Sequence, residues 1–255
     1  MINFYILIRV RTSIGGIVVP CYNEEFRINP KYFNELNKKL EGLGFEIVFV
    51  NDGSTDGTLA KIRELDGKFR IYNLETNQGK AEAIRKAMLN ELQNSSKKII
   101  GYLDSDGAFS TEDIEQLIKK FTTYPQFQEY QVLSAARVKL AGKKIERKAL
   151  RHFIGRMIST FLNIGNEIKI YDPQSGFKLF RANETLKAAL NEPFTTRWFV
   201  DLEIFSFYAR QKNYIVEEPI STWRDIPGSK IQFTEYSRIL IDLIKIKYKT
   251  RKQHL

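Results

Sequence analysis

The stretch Lys98-Ile99-Ile100-Gly101-Tyr102-Leu103-Asp104-Ser105-Asp106-Gly107 joins a short apolar run to a pair of carboxylates. The run predicts a buried β-strand, and the acidic residues lie where that strand ends. Two carboxylates on alternate residues at a strand end suit a divalent metal ion and a ribose hydroxyl. Because Asp and Ser are also common turn residues, this pattern by itself is a weak signal.

Two more loops of the same character precede this stretch. Pro20-Cys21-Tyr22-Asn23-Glu24-Glu25 follows an apolar run at residues 17–19, and Asn51-Asp52-Gly53-Ser54-Thr55-Asp56-Gly57 follows another at residues 46–50. Helical patterns separate the runs, which predicts a mostly parallel sheet flanked by helices on both faces. Since ligands bind beyond the carboxyl ends of such strands, three acidic loops at that edge predict a nucleotide-sugar site.

The composition is typical of one α/β domain. The chain has 255 residues, 43% hydrophobic and 27% charged, a size that suits a single core. Cys21 is its only cysteine, so a disulfide within the chain is impossible and a cytoplasmic location is expected. The net charge of +10 indicates an anionic partner or a solvated surface. We expect no nucleic-acid partner, because the sequence has neither zinc-ligand spacing nor a ribonucleoprotein motif.

No apolar segment approaches the roughly 20 residues needed to cross a bilayer. Residues 4–10 predict an extra edge strand, with an upstream extension of the start site as the alternative. Residues 147–162 predict a basic amphipathic helix, and residues 234–249 predict another that ends in a basic tail. Both segments fit either a peripheral contact with the cytoplasmic face of a membrane or ordinary packing on the sheet.

The acidic loops supply most of the candidate donor-site residues. We expect Asp106 to bind a metal ion that neutralises a departing diphosphate, and Asp104 to face the ribose or the water shell of the metal. Asp52 and Glu24 are placed to accept hydrogen bonds from the base and the ribose. Tyr22 is placed to flank the base.

Other charged residues near these loops have structural alternatives. Lys80 is either a ligand of the donor phosphates or an ordinary first-turn residue of the helix that Gly79 opens. Glu25 is expected to be a solvated loop charge. Asp56 is expected to support the start of the second helix, which Ser54 is expected to cap.

Three segments in the second half carry a family resemblance. They are Asp172-Pro173-Gln174-Ser175-Gly176-Phe177-Lys178-Leu179-Phe180, Arg197-Trp198-Phe199-Val200-Asp201-Leu202-Glu203 and Trp223-Arg224-Asp225-Ile226-Pro227-Gly228-Ser229-Lys230. Together with the acidic loops, they resemble the family 2 glycosyltransferases, and in particular the dolichyl-phosphate β-glucosyltransferase and polyprenyl-phosphate glycosyltransferase group. The resemblance implies the α/β GT-A fold, a Rossmann-like, mostly parallel sheet with a C-terminal helical extension on the acceptor side.

The resemblance also implies a domain organisation. It runs from about residue 16 to residue 230, so we predict one glycosyltransferase domain over residues 1–230. Residues 1–130 would be its nucleotide-binding half and residues 131–230 its acceptor half. Residues 231–255 would form a basic amphipathic helix and tail.

Several roles follow from the resemblance at matching positions. Asp104 and Asp106 match the D-x-D pair of the family. Arg137 and Arg151 match arginines that bind the phosphate of the acceptor lipid, and Asp172 and Gln174 match a segment that faces the sugar and the acceptor. Lys230 matches a basic residue near the diphosphate. The predicted donor site thus comprises Pro20, Tyr22, Glu24, Asp52, Lys80, Asp104 and Lys230.

The sequence departs from the family pattern in three respects. Ala108 stands where archaeal mannosyl relatives have a glutamine that touches the metal, which favours the glucosyl type and leaves the metal fewer protein ligands. Ala135 and Ala136 precede Arg137 in place of a Gly-Ser dipeptide. The transmembrane anchor of many members is missing, so the acceptor is either soluble or reached by peripheral membrane binding.

The expected role of Asp201 depends on the class of acceptor. A lipid phosphate is already ionised and needs no general base, whereas a hydroxyl acceptor needs a carboxylate to take its proton. Asp201 is the best candidate for that base or for a contact with the acceptor, with Glu203 nearby in sequence. The structural alternative is that Asp201 caps a helix over residues 202–208.

We therefore predict an inverting glycosyltransferase that uses Mg²⁺ or Mn²⁺. It would move a hexose, with glucose favoured, from a nucleotide-diphosphate sugar such as UDP-glucose to a polyprenyl or dolichyl phosphate. Asp201, Asp106 and Gln174 are the predicted catalytic residues. The alternatives are a polysaccharide or glycolipid glycosyltransferase with a sugar hydroxyl as acceptor, and a non-catalytic nucleotide-sugar-binding module.

Overall fold

A computed structural model describes residues 13–67, 69–146, 159–160, 163, 169–208, 215–224 and 226 of the chain. Nine strands and six α-helices lie within these residues. The strands are β1 (Gly15–Cys21), β2 (Phe45–Asp52), β3 (Arg70–Leu74), β4 (Ile99–Leu103), β5 (Val132–Ala136), β6 (Lys144–Glu146), β7 (Phe177–Arg181), β8 (Ile215–Pro219) and β9 (Thr222–Arg224). The helices are α1 (Pro30–Gly42), α2 (Thr58–Arg63), α3 (Lys80–Asn94), α4 (Thr111–Thr123), α5 (Glu184–Asn191) and α6 (Val200–Tyr208).

Seven of the described strands form one sheet in the order β3-β2-β1-β4-β7-β5-β8. The pairs β1–β2, β1–β4, β2–β3 and β5–β8 are parallel, while β7 runs antiparallel to both of its neighbours. The mostly parallel α/β sheet predicted from the sequence is therefore confirmed. The antiparallel β7 has a consequence for the site, because its first residue, Phe177, lies opposite Leu103 at the end of β4.

Apolar side chains cover both faces of the sheet. Ile17 and Val19 of β1 belong to one buried cluster, which includes residues of α1, α2 and α4. Val18, between them, belongs to a second cluster with residues of α3, α5 and α6. Successive residues of a strand face opposite sides, so a continuous apolar run is what a sheet covered on both faces requires.

Side chains cap the first turns of α1 and α4. Asn29 and Ser110 accept hydrogen bonds from backbone N–H groups in the first turns of α1 and α4, as expected of N-cap residues. The expectation that Ser54 caps α2 is wrong, because that helix begins only at Thr58. There the Asp56 carboxylate accepts the Thr58 N–H at 3.0 Å, which confirms its support of the helix start.

A smaller two-stranded sheet pairs β6 with β9 in parallel. Asp113 of α4 fixes the turn that leads into β9, since its carboxylate accepts from the backbone N–H groups of Ser221 and Thr222 at 2.9 and 3.0 Å. Phe109 forms an isolated bridge with Trp223 of β9. These contacts bring Trp223 beside the loop that follows β4.

Several predictions lie outside the described residues. They concern the edge strand over residues 4–10, the amphipathic helices over residues 147–162 and 234–249, and the roles of Arg151 and Lys230. The division at residues 130 and 230 also stays a prediction. Over the part of the chain that the structure covers, there is no helix of the length and apolarity that crossing a membrane demands.

Arg181, at the end of β7, ties the sheet to the last turn of α4 and to the segment that follows it. Its guanidinium donates to the carbonyl oxygens of Tyr130, Phe121 and Phe127 at 2.9, 3.2 and 3.1 Å. It also lies 4.6 Å from the centroid of the Phe121 ring. We predict that Arg181→Met lowers the free energy of unfolding by about 1–3 kcal/mol, because the carbonyl groups lose their charged donor.

Urea denaturation checks this prediction, with Lys187→Met as the control. Lys187 lies on α5, is about half exposed and has its carboxylate partner, Glu184, 3.8 Å away, so its replacement is expected to cost less than about 0.5 kcal/mol. Equal losses in the two variants would contradict the anchoring role of Arg181.

Candidate functional site

The carboxyl ends of β2, β1 and β4 meet at one edge of the sheet, because these strands are parallel neighbours. The three acidic loops therefore lie together, as the sequence predicted. The antiparallel β7 adds the segment at residues 172–176 to the same edge. The Asp104 N–H donates to the Gly176 carbonyl at 2.9 Å. A Cβ atom on Gly176 would lie only 2.4 Å from Asp104 Oδ2, so glycine allows the two segments this close approach.

Hydrogen bonds join the first acidic loop to the second. Asn23, which has a positive φ of 49°, donates its N–H to Ser54 Oγ at 3.0 Å and accepts the Thr55 N–H at 2.9 Å. Glu25 accepts the Gly57 N–H at 3.1 Å, so the expectation that Glu25 is only a solvated charge is wrong. Together these bonds hold the two loops as one unit.

Asp52 is 2% exposed, and its carboxylate is directed at the loop that precedes α3. Its oxygens accept the N–H groups of Gln78 and Gly79 at 2.8 and 2.9 Å and the amide of Asn77 at 3.0 Å. Burial raises the pKa of Asp52, although these backbone hydrogen bonds oppose the shift. Asp52 thus positions the start of α3, and its contact with a base stays a prediction.

Lys80, the first residue of α3, contacts the D-x-D pair. Its ammonium lies 2.5 Å from Asp104 Oδ1. Burial opposes the charge of Lys80, but the carboxylates of Asp104, Asp201 and Asp106 outweigh that effect and raise its pKa. A cation held beside two carboxylates at this edge is suitably placed to meet the phosphates of a donor.

Asp106 is the other half of the pair. One of its oxygens accepts the Ala108 N–H at 3.0 Å, and the other lies 3.4 Å from the guanidinium of Arg27. Arg27 also pairs with Glu24 at 3.1 Å. Burial, with the charge of Asp104 added, raises the pKa of Asp106. Arg27 was not among the sequence-predicted residues, and the one signal for it was a basic residue within an acidic loop.

The chemistry of this pair fits a divalent cation that the substrate helps to coordinate. The side chains of Asp104 and Asp106 are 30% and 22% exposed to solvent, so a metal ion can reach both. The described residues contain no group of three or more His, Cys, Asp or Glu side chains arranged to hold a metal. Mg²⁺ and similar hard cations are commonly bound by one or two carboxylates together with substrate phosphates and water. Ala108 supplies no ligand atom.

Two of the predicted acceptor residues, Arg137 and Asp172, contact each other in the described structure. Arg137, just after β5, makes a two-pronged contact with the Asp172 carboxylate, at 2.7 and 2.8 Å, and donates to the Gln174 carbonyl at 2.9 Å. Its guanidinium also lies 5.0 Å from the centroid of the Trp223 ring. The structure thus brings Arg137, Asp172 and Gln174 together, with the Gln174 side chain half-buried.

Glu217 of β8 holds the backbone of the segment that carries Asp172. This residue was not identified from the sequence. Its carboxylate accepts the backbone N–H groups of Tyr171 and Asp172 at 2.6 and 2.8 Å. Burial raises the pKa of Glu217, against the effect of these two hydrogen bonds. Its sequence signal was an acidic residue in the β-strand run that starts at Ile215.

Asp201 lies one residue inside α6, so the structural alternative, in which it caps this helix, is wrong. Its side chain is buried, and Oδ1 lies 2.8 Å from the ammonium of Lys178 on β7. Glu203 points elsewhere, since it accepts the N–H groups of Thr195 and Thr196 at 2.6 and 3.0 Å. The two acidic residues therefore diverge, as a helix requires of positions two apart.

Pro20 and Tyr22 of the predicted donor site lie at the end of β1. Pro20 is buried in this strand opposite Val50 of β2, and Tyr22 is half-buried just beyond the end of β1.

Arg197, which was not predicted as a donor-site residue, contacts the loop before α3. Its guanidinium bonds to the side chain of Asn77, and its carbonyl accepts the Ala81 N–H at 2.9 Å. The Arg-Trp segment therefore packs against the start of α3, beside Lys80.

Comparison with known proteins agrees with this geometry. The family model for glycosyl transferase family 2 matches residues 16–183. A dolichyl-phosphate beta-glucosyltransferase of Trichomonas vaginalis is 32% identical over 91% of this chain and 72% of its own length. The protein of that name from Saccharomyces cerevisiae is also 32% identical, over 91% of this chain and 71% of its own length.

A solved structure shares the fold at low sequence identity. Glucosyl-3-phosphoglycerate synthase from Mycobacterium tuberculosis, in complex with Mn²⁺, UDP-glucose and phosphoglyceric acid, superposes with a TM-score of 0.66 at 17% identity. The match covers 93% of this chain and 79% of that one. The family model spans residues 16–183, which is more than half of the chain, and the D-x-D loop lies at the carboxyl edge of the sheet. This chain therefore belongs to glycosyl transferase family 2.

Proposed function

We propose that this enzyme transfers glucose from UDP-glucose to dolichyl phosphate, with Mn²⁺ or Mg²⁺ as cofactor. The observation that carries the proposal is the pair Asp104 and Asp106, held at the carboxyl edge of the sheet between Lys80 and Arg27. The names of the relatives from Trichomonas and yeast supply the sugar and the acceptor. The Mycobacterium structure, which contains UDP-glucose and Mn²⁺, supplies the donor and the metal.

Negative charge develops on the diphosphate as its bond to the sugar breaks, so the donor side of the site has to supply positive charge. Asp104 and Asp106 would hold the cation, which as a Lewis acid stabilises the departing diphosphate. Lys80 adds a second positive charge from α3, and Arg27 adds a third from the first loop. The bond between the anomeric carbon and the β-phosphate oxygen breaks, and UDP leaves with that electron pair.

The acceptor side requires a cation for a lipid phosphate. An acceptor phosphate oxygen attacks the anomeric carbon from the face opposite UDP, which gives the β-glucosyl phosphate with inversion. Arg137 is the proposed phosphate ligand, since a guanidinium can bind two oxygens at once. In this structure Asp172 holds it in that same two-pronged manner. The acceptor phosphate would share the five N–H donors of Arg137 with Asp172, so that the buried carboxylate keeps its partner.

A hydroxyl acceptor is the second candidate, and the state of Asp201 favours it. Burial raises the pKa of Asp201 well above its usual value, and a general base works best with a pKa near the working pH. A polysaccharide or glycolipid acceptor would use this carboxylate, whereas a lipid phosphate would not.

The proposal includes a peripheral contact with the cytoplasmic face of a membrane. Dolichyl phosphate is a membrane lipid, and the basic amphipathic segments of the sequence are suited to anionic headgroups. A transfer assay tests the function as a whole. Radiolabelled UDP-glucose, UDP-galactose and GDP-mannose are each offered with dolichyl phosphate or with a soluble glucoside, with and without Mn²⁺. Lipid-linked glucose formed only from UDP-glucose and metal supports the proposal, and product on the glucoside alone would refute it.

Replacing Asp106 tests the metal assignment. We predict that Asp106→Asn lowers kcat by about 100-fold, equivalent to about 2.7 kcal/mol of transition-state stabilisation, because a neutral amide holds the cation poorly. Calorimetry with UDP and Mn²⁺ is expected to show a parallel loss of metal-dependent affinity.

The matched control is Asp66→Asn, an exposed aspartate whose carboxylate bonds to Asn34 at 2.8 Å. It is expected to change neither quantity by more than about twofold. Normal turnover of Asp106→Asn would show that Asp106 is not a metal ligand.

Replacing Arg137 separates donor binding from acceptor binding. We predict that Arg137→Lys raises KM for dolichyl phosphate by about 10-fold or more while the Kd of UDP with Mn²⁺ stays within about threefold, because a lysine keeps the charge but loses the fork. Steady-state kinetics and calorimetry measure the two effects.

Arg224→Lys is the control, since Arg224 is exposed and adjoins Trp223. Equal losses of donor and acceptor affinity in Arg137→Lys would place Arg137 at the diphosphate. No loss of either would favour the hydroxyl acceptor.

A further inference from the structure

Lys178 occupies a position where a lysine is costly. It lies on β7 between Phe177 and Leu179, and its side chain is 0% exposed. The alternation of the strand directs it to the face covered by α3 and α6, where the rings of Tyr102 and Phe205 lie 5.6 Å from its ammonium. A charged group removed from water is retained only where partners compensate it, so this lysine needs an explanation.

The partners of Lys178 lie on two segments that form the site. Its ammonium donates to the Ser175 carbonyl at 2.5 Å and lies 2.8 Å from Asp201 Oδ1. Ser175 precedes Gly176, whose carbonyl accepts the Asp104 N–H, and Asp201 belongs to α6. One buried ammonium therefore joins the segment beside the D-x-D pair to the helix behind it.

Asp104 is held by two different segments. Its carboxylate contacts the ammonium of Lys80 on α3 at 2.5 Å, and its backbone N–H donates to the Gly176 carbonyl at 2.9 Å. A displacement of the segment that carries Ser175 and Gly176 would therefore change the position of Asp104 relative to Lys80.

We propose that Lys178 is a positioning residue of the donor site, which holds the segment of Ser175 and Gly176 against Asp201 of α6 and thereby fixes the backbone of Asp104. This inference rests on the proposed function, since it assumes that a diphosphate and its cation bind at Asp104 and Asp106. Lys178 itself touches neither substrate. Its effect is to keep Asp104 at one place relative to Lys80 when the donor arrives.

Burial of the Lys178–Asp201 pair is consistent with this role. It lowers the pKa of Lys178 to about 7 and raises that of Asp201. Without Lys178, the Ser175 carbonyl and the Asp201 carboxylate would lose the ammonium that joins them.

The test compares Lys178→Met with Lys97→Met. Lys97 is an equally buried lysine, 4% exposed, whose ammonium lies 2.6 Å from Glu91. It precedes β4, so it lies at the opposite end of the strand from Asp104, about 20 Å away. Both replacements remove a buried ion pair, and both are expected to lower the melting temperature. A general loss of stability would therefore affect the two variants alike.

Calorimetry with two ligands, UDP with Mn²⁺ and uridine, shows whether the diphosphate part of the donor site has been disturbed. We expect Lys178→Met to weaken binding of UDP with Mn²⁺ by about 10-fold or more, and to leave binding of uridine, which lacks the diphosphate, within about twofold. Lys97→Met is expected to change neither affinity by more than about twofold. Wild-type affinity for UDP with Mn²⁺ in Lys178→Met would overturn the inference, as would a parallel loss of uridine binding.

A double-mutant cycle tests whether Lys178 acts through Asp201. Asp201→Asn and Lys178→Met remove the two ends of one contact, so the double variant is expected to bind UDP with Mn²⁺ no more weakly than the weaker single variant. Additive losses would show that Lys178 acts by another route. If the wild-type enzyme binds UDP with Mn²⁺ but glucosylates no lipid phosphate, the proposed acceptor fails while these binding results still decide the role of Lys178.

Discussion

The compensation of buried carboxylates is the constraint on which this structure depends. Removing a charged group from water costs several kcal/mol unless hydrogen bonds and opposite charges replace its hydration. Asp52 meets that cost with backbone N–H groups, Asp172 with Arg137, and Asp201 with Lys178. Each of these partners belongs to another segment of the chain, so each contact holds two segments together. The contacts that compensate the buried carboxylates therefore determine how the segments at the carboxyl edge of the sheet are arranged.

One consequence is that the two sides of the site are not independent. Asp104 contacts Lys80 through its carboxylate and Gly176 through its backbone, and Gly176 lies in the segment that carries Asp172 and Gln174. The donor side and the acceptor side are therefore in direct contact, through the hydrogen bond between the Asp104 N–H and the Gly176 carbonyl. A sugar transferred from one phosphate to another has to pass from one side to the other, which is why the proximity of Asp104 to Gly176 matters for the proposed reaction.

The sequence predicted the edge but not the pairings that hold it together. Apolar runs followed by acidic turns are local signals, so the positions of Asp52, Asp104 and Asp106 could be inferred from spacing and strand order. Arg137 and Asp172 are 35 positions apart, and they meet because β7 enters the sheet antiparallel between β4 and β5, which no local pattern indicates. The roles of Glu25 and Glu217 were missed for the same reason, since both accept from backbone groups on distant segments. Lys178 was assigned no role from the sequence, because its partners Ser175 and Asp201 come together only in the folded chain.

The most direct measurement of the central claim is anomalous diffraction at the manganese edge from crystals grown with UDP-glucose and Mn²⁺. The account predicts one manganese peak bonded to the Asp106 carboxylate and to the diphosphate, beside Asp104, with the glucose directed toward Arg137. UDP-glucose bound at this edge without a metal peak, or a manganese peak away from Asp104 and Asp106, would contradict it.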